Sequence, residues 1–153
     1  MMKELDQIDR RLLNALQEDS RLSQRDLADK IGLSQNACWR RLKALDERGL
    51  IKSHTVRLDP AEVGLPLTVF MMVRTRHHSK EWLEQFRKEV LAIANIIDFY
   101  RIAGDYDYML KVAVEDMNAF DRVYQRIIEK VDLDTVTSYM TMEAIADARP
   151  LPV

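Results

Sequence analysis

The sequence predicts an α+β chain in which an N-terminal winged helix-turn-helix is joined by a linker strand to a C-terminal ferredoxin-like βαββαβ domain. Three observations predict it. The block from Ser23 to Leu45 reads as two helices parted only by Gly32-Leu33-Ser34, the tight connection that a helix-turn-helix demands. Asp59 to Pro66 is rich in turn formers, and Pro60 and Pro66 exclude a long helix or a central strand there. Beyond Pro66 the hydrophobic period switches in the order strand, helix, strand, strand, helix, strand. These observations set a first domain at 1–58, a linker at 59–66 and a second domain at 67–153.

In the first domain Leu5, Ile8, Leu12 and Leu16 recur at three- and four-residue steps, so a helix from Gln7 to Glu18 has one apolar face. Ser23 caps a second helix, with Asp26 three places on as a shorter form of the capping-box acid, and Leu27, Ala28 and Ile31 supply its buried side. Gly32 permits the left-handed turn that ends this helix, and Ser34 caps the third. There Cys38, Leu42 and Leu45 form the inward stripe. Trp39 reads as a partly buried anchor beside the first helix, with a groove contact as the alternative. After the third helix, Gly49 to Leu58 turns extended, the expected place for a wing or linker strand.

Gln35, Asn36, Arg40 and Lys43 are left on the faces toward solvent or DNA and are the candidate base readers. Gln and Asn can make two hydrogen bonds to adenine, and Arg can do so with guanine, so these residue types at a helix start suit a DNA major groove. Arg41 and Arg48 are assigned to phosphates, and Lys52 and Arg57 reach the DNA backbone from the extended segment. Charge agrees in sign only. Residues 1–58 carry 12 Lys/Arg against 9 Asp/Glu, whereas the remainder carries 11 against 16, which suggests that only the front meets a polyanion. A generic three-helix bundle with a solvated charged face is the competing explanation.

In the second domain the strands run from Leu67 to Thr75, Ile96 to Ala103, Tyr108 to Val114 and Val136 to Met142, and the helices from Lys80 to Leu91 and Met117 to Val131. Trp82, Phe86, Val90 and Ile93 stripe the first helix, and Met117, Phe120, Tyr124, Ile127 and Val131 stripe the second. Leu67, Val69, Met71 and Val73 line one face of the first strand while Phe70 and Met72 line the other, so both faces ask for cover. Two helices cover one. The other face is therefore expected to pack against a second copy, most simply in a two-fold dimer offering two reading helices to two DNA half-sites.

Gly104-Asp105-Tyr106-Asp107 lies where the second strand hands over to the third. A hairpin turn explains that much. As a site, its carboxylates would accept from an ammonium group and its exposed backbone N–H groups would hold a carboxylate, the two ends of an amino acid. Thr137, Tyr139 and Thr141 alternate on the last strand and could add hydroxyls from a neighbouring subunit.

Length and composition bound the rest. At 153 residues there is room for one ordinary domain or two small ones, and a small one buries only about 60% of its unfolded surface, which favours association. The single cysteine, Cys38, excludes an internal disulfide framework and reads as a core residue without chemistry. The charged start does not resemble a signal peptide, and no apolar run approaches the roughly 18 residues of a membrane span, so a soluble, cytoplasmic protein is expected with no membrane partner.

With both halves in view the chain resembles the Lrp/AsnC family of feast/famine transcriptional regulators nearly end to end. The likeness rests on Leu5-Asp-Gln-Ile-Asp-Arg-Arg-Leu-Leu13, on Ser34 to Leu45 with Gly49-Leu-Ile51, on Leu58-Asp-Pro60, on Gly104-Asp-Tyr-Asp-Tyr108 and on Tyr139-Met-Thr-Met-Glu143. It implies double-stranded DNA as partner, an amino-acid effector bound at subunit contacts, no other cofactor, and homodimers that often assemble into octameric discs. By that likeness Gly104, Asp105, Tyr106 and Asp107 approach the effector, and Arg101, Tyr139, Met140 and Thr141 correspond to effector-responsive positions. His77-His78-Ser-Lys-Glu-Trp82 departs from the broad pattern and looks like a subgroup that responds to cysteine. Two solvated loop histidines explain it more simply than a metal site, and no metal ligand set is assigned.

The leading expectation is thus a sequence-specific regulator whose assembly or DNA affinity shifts with an amino acid. An architectural DNA-binding protein indifferent to ligand is the alternative within DNA binding. An amino-acid-metabolising enzyme is the alternative outside it, since Asp105 and Asp107 sit close together. With no nucleophile and base pair, phosphate loop or metal cluster in the sequence, no catalytic residue is assigned.

Overall fold

The computed structural model describes residues 4–153, which form α1 (Gln7–Glu18), α2 (Gln24–Ile31), α3 (Gln35–Glu47), β1 (Leu67–Arg74), α4 (Lys80–Leu91), β2 (Ile96–Arg101), β3 (Tyr108–Val114), α5 (Met117–Ile128) and β4 (Thr135–Met140). Two compact units result: the chain up to Val56 together with Ile145–Val153, and Arg57–Ala144.

In the first unit each helix begins on a side-chain cap that satisfies an otherwise orphaned N–H. The Asp6 carboxylate accepts from the Asp9 N–H at 2.8 Å, and Ser34 Oγ accepts from the Ala37 N–H at 3.3 Å. Ser23 Oγ accepts from the Asp26 N–H at 3.1 Å and donates to Asp26 Oδ2 at 2.6 Å. Asp26 therefore engages the hydroxyl of the cap. In a full capping box the longer Glu or Gln would return to the cap's backbone N–H. Leu12, Ala15, Leu27, Ala28, Ile31 and Cys38 close into one core, with Ile8, Leu16, Leu22, Leu33 and Leu42 packed around it.

The turn between α2 and α3 depends on Gly32 at φ 81°, ψ 37°, where the Gly32 and Leu33 N–H groups both donate to the Ala28 carbonyl at 2.9 Å. An added Cβ would meet nothing within 4 Å, so a side chain here is penalised by backbone conformation alone. Gly32→Ala is expected to destabilise the unit by about 1–2 kcal/mol, read as a lower thermal midpoint; an unchanged midpoint would contradict the left-handed turn.

The structure departs from the sequence expectation at three places in this region. Residues 51–59 form no strand, neither wing nor linker strand. A strand needs a neighbour for its ladder, and this segment finds none within one chain. The last residues also depart, because Ile145–Val153 belong with the first unit rather than the second. The Gln17 amide brackets Leu151, donating to its carbonyl at 3.1 Å and accepting from its N–H at 2.8 Å, and Asn14 donates to the Val153 carbonyl at 3.2 Å. Trp39 is no buried anchor, being 46% exposed with the Lys43 ammonium over its ring at 5.2 Å.

The second unit begins at the connector, where Asp59 to Gly64 make a short turn closed by Leu65 N–H on the Pro60 carbonyl at 2.7 Å. The sheet that follows is antiparallel in the order β2-β3-β1-β4. Register sorts its two faces, since residues directly opposite share one. Val69, Met71 and Val73 face Val112, Leu110 and Tyr108, and join Phe86, Val90, Phe120, Val123 and Ile127 of the two helices in the core. A bulge between Ile96 and Asp98 breaks the alternation of β2, so that Ile96 and Phe99 both reach this core.

On the other face Met72 lies between Met109 and Thr137, and Phe70 between Lys111 and Tyr139. Phe70, Met72 and Met109 are half-buried, while Tyr100 and Tyr139 are 52% and 55% exposed. Smaller differences lie at the element ends. The α5 helix stops at Ile128, after which the Lys130 and Val131 N–H groups bond back to Ile127 and keep Val131 buried. Met117 at the helix start is 49% exposed, and Val123, outside the stripe expected from the sequence, is buried in the core. Among the described residues no helix is long and apolar enough to cross a membrane.

Candidate nucleic-acid interface and effector site

The cap on Ser34 leaves the first turn of α3 facing water, and Gln35, Asn36, Arg40 and Lys43 are all exposed on it. The core takes Cys38 and Leu45, so the readers expected from the sequence occupy the outward side. Uncommitted N–H groups at a helix start favour phosphate oxygens, and a free guanidinium one turn later can make the bidentate contact that guanine offers. Lys43 is held loosely, 3.8 Å from Glu47. Arg48 and Lys52 are exposed beyond the helix, and Arg57, also exposed, falls in the second unit.

Arg41 behaves differently from the phosphate contact expected of it. Its Nη1 lies 2.6 Å from Asp6 Oδ2 and 2.8 Å from Asp9 Oδ1, so the guanidinium ties α3 to the N-terminal cap of α1. Asp9 is buried and needs that counter-charge. The Asp9 N–H and then the Arg41 guanidinium hold the Asp6 carboxyl below its ordinary value, while Asp6 and Asp9 raise the pKa of Arg41. In the sequence only the distant acids Asp6 and Asp9 hinted at this role. Cys38 is wholly buried, and burial pushes its thiol pKa up, which suits an inert core residue.

In the second unit the Gly104 to Asp107 turn is braced from three sides. Ile102 N–H donates to the Asp107 carbonyl at 2.8 Å, and Asp107 N–H donates to Val73 at 2.9 Å. The Asp107 carboxylate accepts from the Thr75 N–H at 2.9 Å, just past the end of β1. Arg74 donates from Nε to the Asp105 carbonyl at 2.7 Å and lies 5.3 Å from the Tyr106 ring, whose hydroxyl is 2.9 Å from Thr137 Oγ1. Gly104 itself sits at φ 141°, in the region where side chains are strained. Arg74 and Thr75 were missed by sequence reasoning. The only signal was that Arg74 ends the apolar run of β1 with a charge.

The residues assigned to an effector do not form one cluster within the chain. Asp107 meets β1 at Val73 and, just past its end, Thr75, whereas Tyr139 and Met140 pair with Phe70 and Val69. Val69 and Val73 are separated by roughly 13 Å at about 3.3 Å per residue. Thr141 lies further still, with its N–H and its hydroxyl both on the Thr68 carbonyl, at 2.9 and 2.7 Å. Arg101 is exposed at the end of β2, opposite Tyr108. Asp107 is also not an idle acceptor, because one of its oxygens already holds the Thr75 N–H.

His77 is more than a solvated loop residue. Its Nε2 lies 2.9 Å from Asp132 Oδ2, its ring stacks on Trp82 at 6.3 Å, and its N–H donates to Thr75 Oγ1 at 2.9 Å. His78 is exposed. Among the described residues no group of His, Cys, Asp or Glu is placed to hold a metal ion.

Comparison with known proteins matches both units. A family model for the Lrp/AsnC ligand binding domain matches residues 68–151, and a winged helix-turn-helix DNA-binding model matches residues 5–52. The chain is similar to the DNA-binding transcriptional activator DecR of Escherichia coli K12, 41% identical over 150 residues and covering 97% of this chain and 99% of DecR. Among solved structures it is similar to an AsnC family transcriptional regulator from Agrobacterium tumefaciens, with a TM-score of 0.92, 43% identity and 97% of each chain covered. It is also similar to a Neisseria meningitidis transcriptional regulator solved in complex with L-Met, with a TM-score of 0.91, 30% identity and 97% of each chain covered.

Proposed function

Since the chain belongs to the Lrp/AsnC family of DNA-binding transcriptional regulators and is not an enzyme, we propose that its ligand-binding domain takes an amino acid at a site completed only between copies of the chain. The observation that carries this is the separation of the candidate effector residues. Gly104, Asp105 and Asp107 lie at one end of the sheet, from which Tyr106 reaches β4 only as far as Thr137, and Tyr139, Met140 and Thr141 meet β1 at the other. A second copy can bring its own β4 residues to the turn of the first. The apolar second face, with Phe70, Met72 and Met109, gives a two-fold dimer its contact surface, and larger assemblies up to an octamer extend the same scheme.

In this reading Gln35, Asn36, Arg40 and Lys43 read base edges from α3, while Arg48, Lys52 and Arg57 meet phosphates. The effector acts by binding one assembly or DNA-binding state better than the other. The L-Met complex of the Neisseria relative supports an amino acid as the ligand class. For this chain cysteine is the first candidate, on the resemblance carried by His77 to Trp82.

The test separates bracing from binding at Asp107. Asp107→Asn keeps an oxygen for the Thr75 N–H but removes the charge that would face an ammonium; Asp107→Ala removes both. Both variants are expected to move the effector dose curve for operator binding to roughly tenfold higher effector or more, with effector-free DNA affinity unchanged. A wild-type dose curve in Asp107→Asn would exclude the carboxylate from the site.

A further inference from the structure

We propose that the crevice between the end of α4 and the first turns of α5 is a second small-molecule site, built for an acidic amino acid, a ligand with two carboxylates and one ammonium. The crevice holds about 300 Å³, at the lower end of the size of small-ligand pockets. Its apolar floor includes Ile93 and Val123, both buried, and its polar lining includes Arg122, Arg126, Asn95 and Glu115.

The placement of charge is what a solvated helix face leaves unexplained. Arg122 and Arg126 stand one turn apart on α5, and like charges at that spacing destabilise a helix. The residues three and four positions from Arg122 are Asn118, Ala119, Gln125 and Arg126, so the helix supplies it no carboxylate. Among the described residues the side chains of Arg122 and Glu115 make no hydrogen bond or ion pair. Arg126 is anchored by one Nη2 donation to the Ala92 carbonyl at 3.1 Å, which fixes its plane at the end of α4 and leaves its other donors available.

Two guanidiniums and one carboxylate around an apolar floor complement a ligand of the opposite charge pattern: each carboxylate meets an arginine and the ammonium meets Glu115. The site is distinct from the Gly104 to Asp107 turn. Asn95 exchanges hydrogen bonds with Ala113, which stands opposite Thr68 at the start of β1, whereas the turn meets β1 at Val73 and beyond.

The test is calorimetric titration of the full chain with L-glutamate, with succinate, which lacks the ammonium, and with L-glutamine, which lacks the second carboxylate. L-Glutamate is expected to bind the wild type more tightly than either. Arg122→Gln weakens L-glutamate by roughly tenfold or more. Glu115→Gln weakens L-glutamate without weakening succinate, which has no ammonium for that carboxylate to meet. Absence of L-glutamate binding, or binding that Arg122→Gln does not alter, would overturn the proposal. Arg122 and Glu115 are exposed and carry no part of the core, so both variants fold.

Discussion

Met72→Lys is expected to leave the chain folded and monomeric. Met72 sits in the middle of the second sheet face, with Met109 directly opposite on β3 and Thr137 on β4, so no carboxylate stands across from a lysine placed there. In the free subunit that ammonium remains in water. In a two-fold dimer it is buried twice, once from each copy, and each copy also loses the share of a methionine's roughly 1.5–3 kcal/mol of burial that the dimer adds to the half-buried side chain. The dimer dissociation constant should therefore rise by about a hundredfold or more, measured by sedimentation velocity across a concentration series. Retention of the wild-type dimer would place the interface elsewhere and remove the basis for a site shared between copies.

The second large effect contrasts two adjacent arginines. Arg40→Ala is expected to weaken operator binding by about 1–3 kcal/mol, on the order of tenfold to a hundredfold, with no loss of thermal stability, because its guanidinium faces outward from α3. Arg41→Ala is expected to act through the fold. Removing the guanidinium leaves the buried Asp9 without its counter-charge and frees the Asp6 cap, at a cost of about 1–3 kcal/mol in the stability of the first unit. The salt dependence separates the two roles, since a true phosphate contact lowers the slope of binding against salt by about one when removed. Lys52→Ala should do that and Arg41→Ala should not. A reduced slope in Arg41→Ala at temperatures where it is folded would restore it to the DNA interface.

Local signals carried the fold well. Ser23, Gly32 and Ser34 announce the helix-turn-helix because capping and left-handed geometry are decided within a few residues. The βαββαβ order is likewise legible, because strand and helix periods differ and both helices have one apolar stripe. Features that depend on distant partners were not legible. Arg41 shows nothing in its own neighbourhood of its pairing with Asp6 and Asp9, and Trp39 looked like an anchor because an aromatic beside an inward stripe usually is one. Val123 joins Phe120 and Ile127 in the core, while Met117 at the first position of α5 is exposed.

The candidate site divided along the same line. The turn Gly104 to Asp107 was legible as a turn and its bracing by Arg74 and Thr75 was not, since β1 is some thirty residues away in sequence. The extended segment 49–58 has the composition of a strand but forms none, because a ladder needs a partner that a single chain does not supply.

The central claim is that an amino acid controls specific DNA binding. Fluorescence anisotropy of the labelled region upstream of this protein's own gene tests it most directly, against scrambled DNA, at two salt concentrations and with each amino acid in turn. The account predicts tighter binding to the upstream region than to scrambled DNA, with a shift produced by one amino acid and moved to higher effector concentration in Asp107→Asn. Equal, salt-sensitive binding to both DNAs with no shift from any amino acid would contradict it and leave an architectural DNA-binding protein in its place.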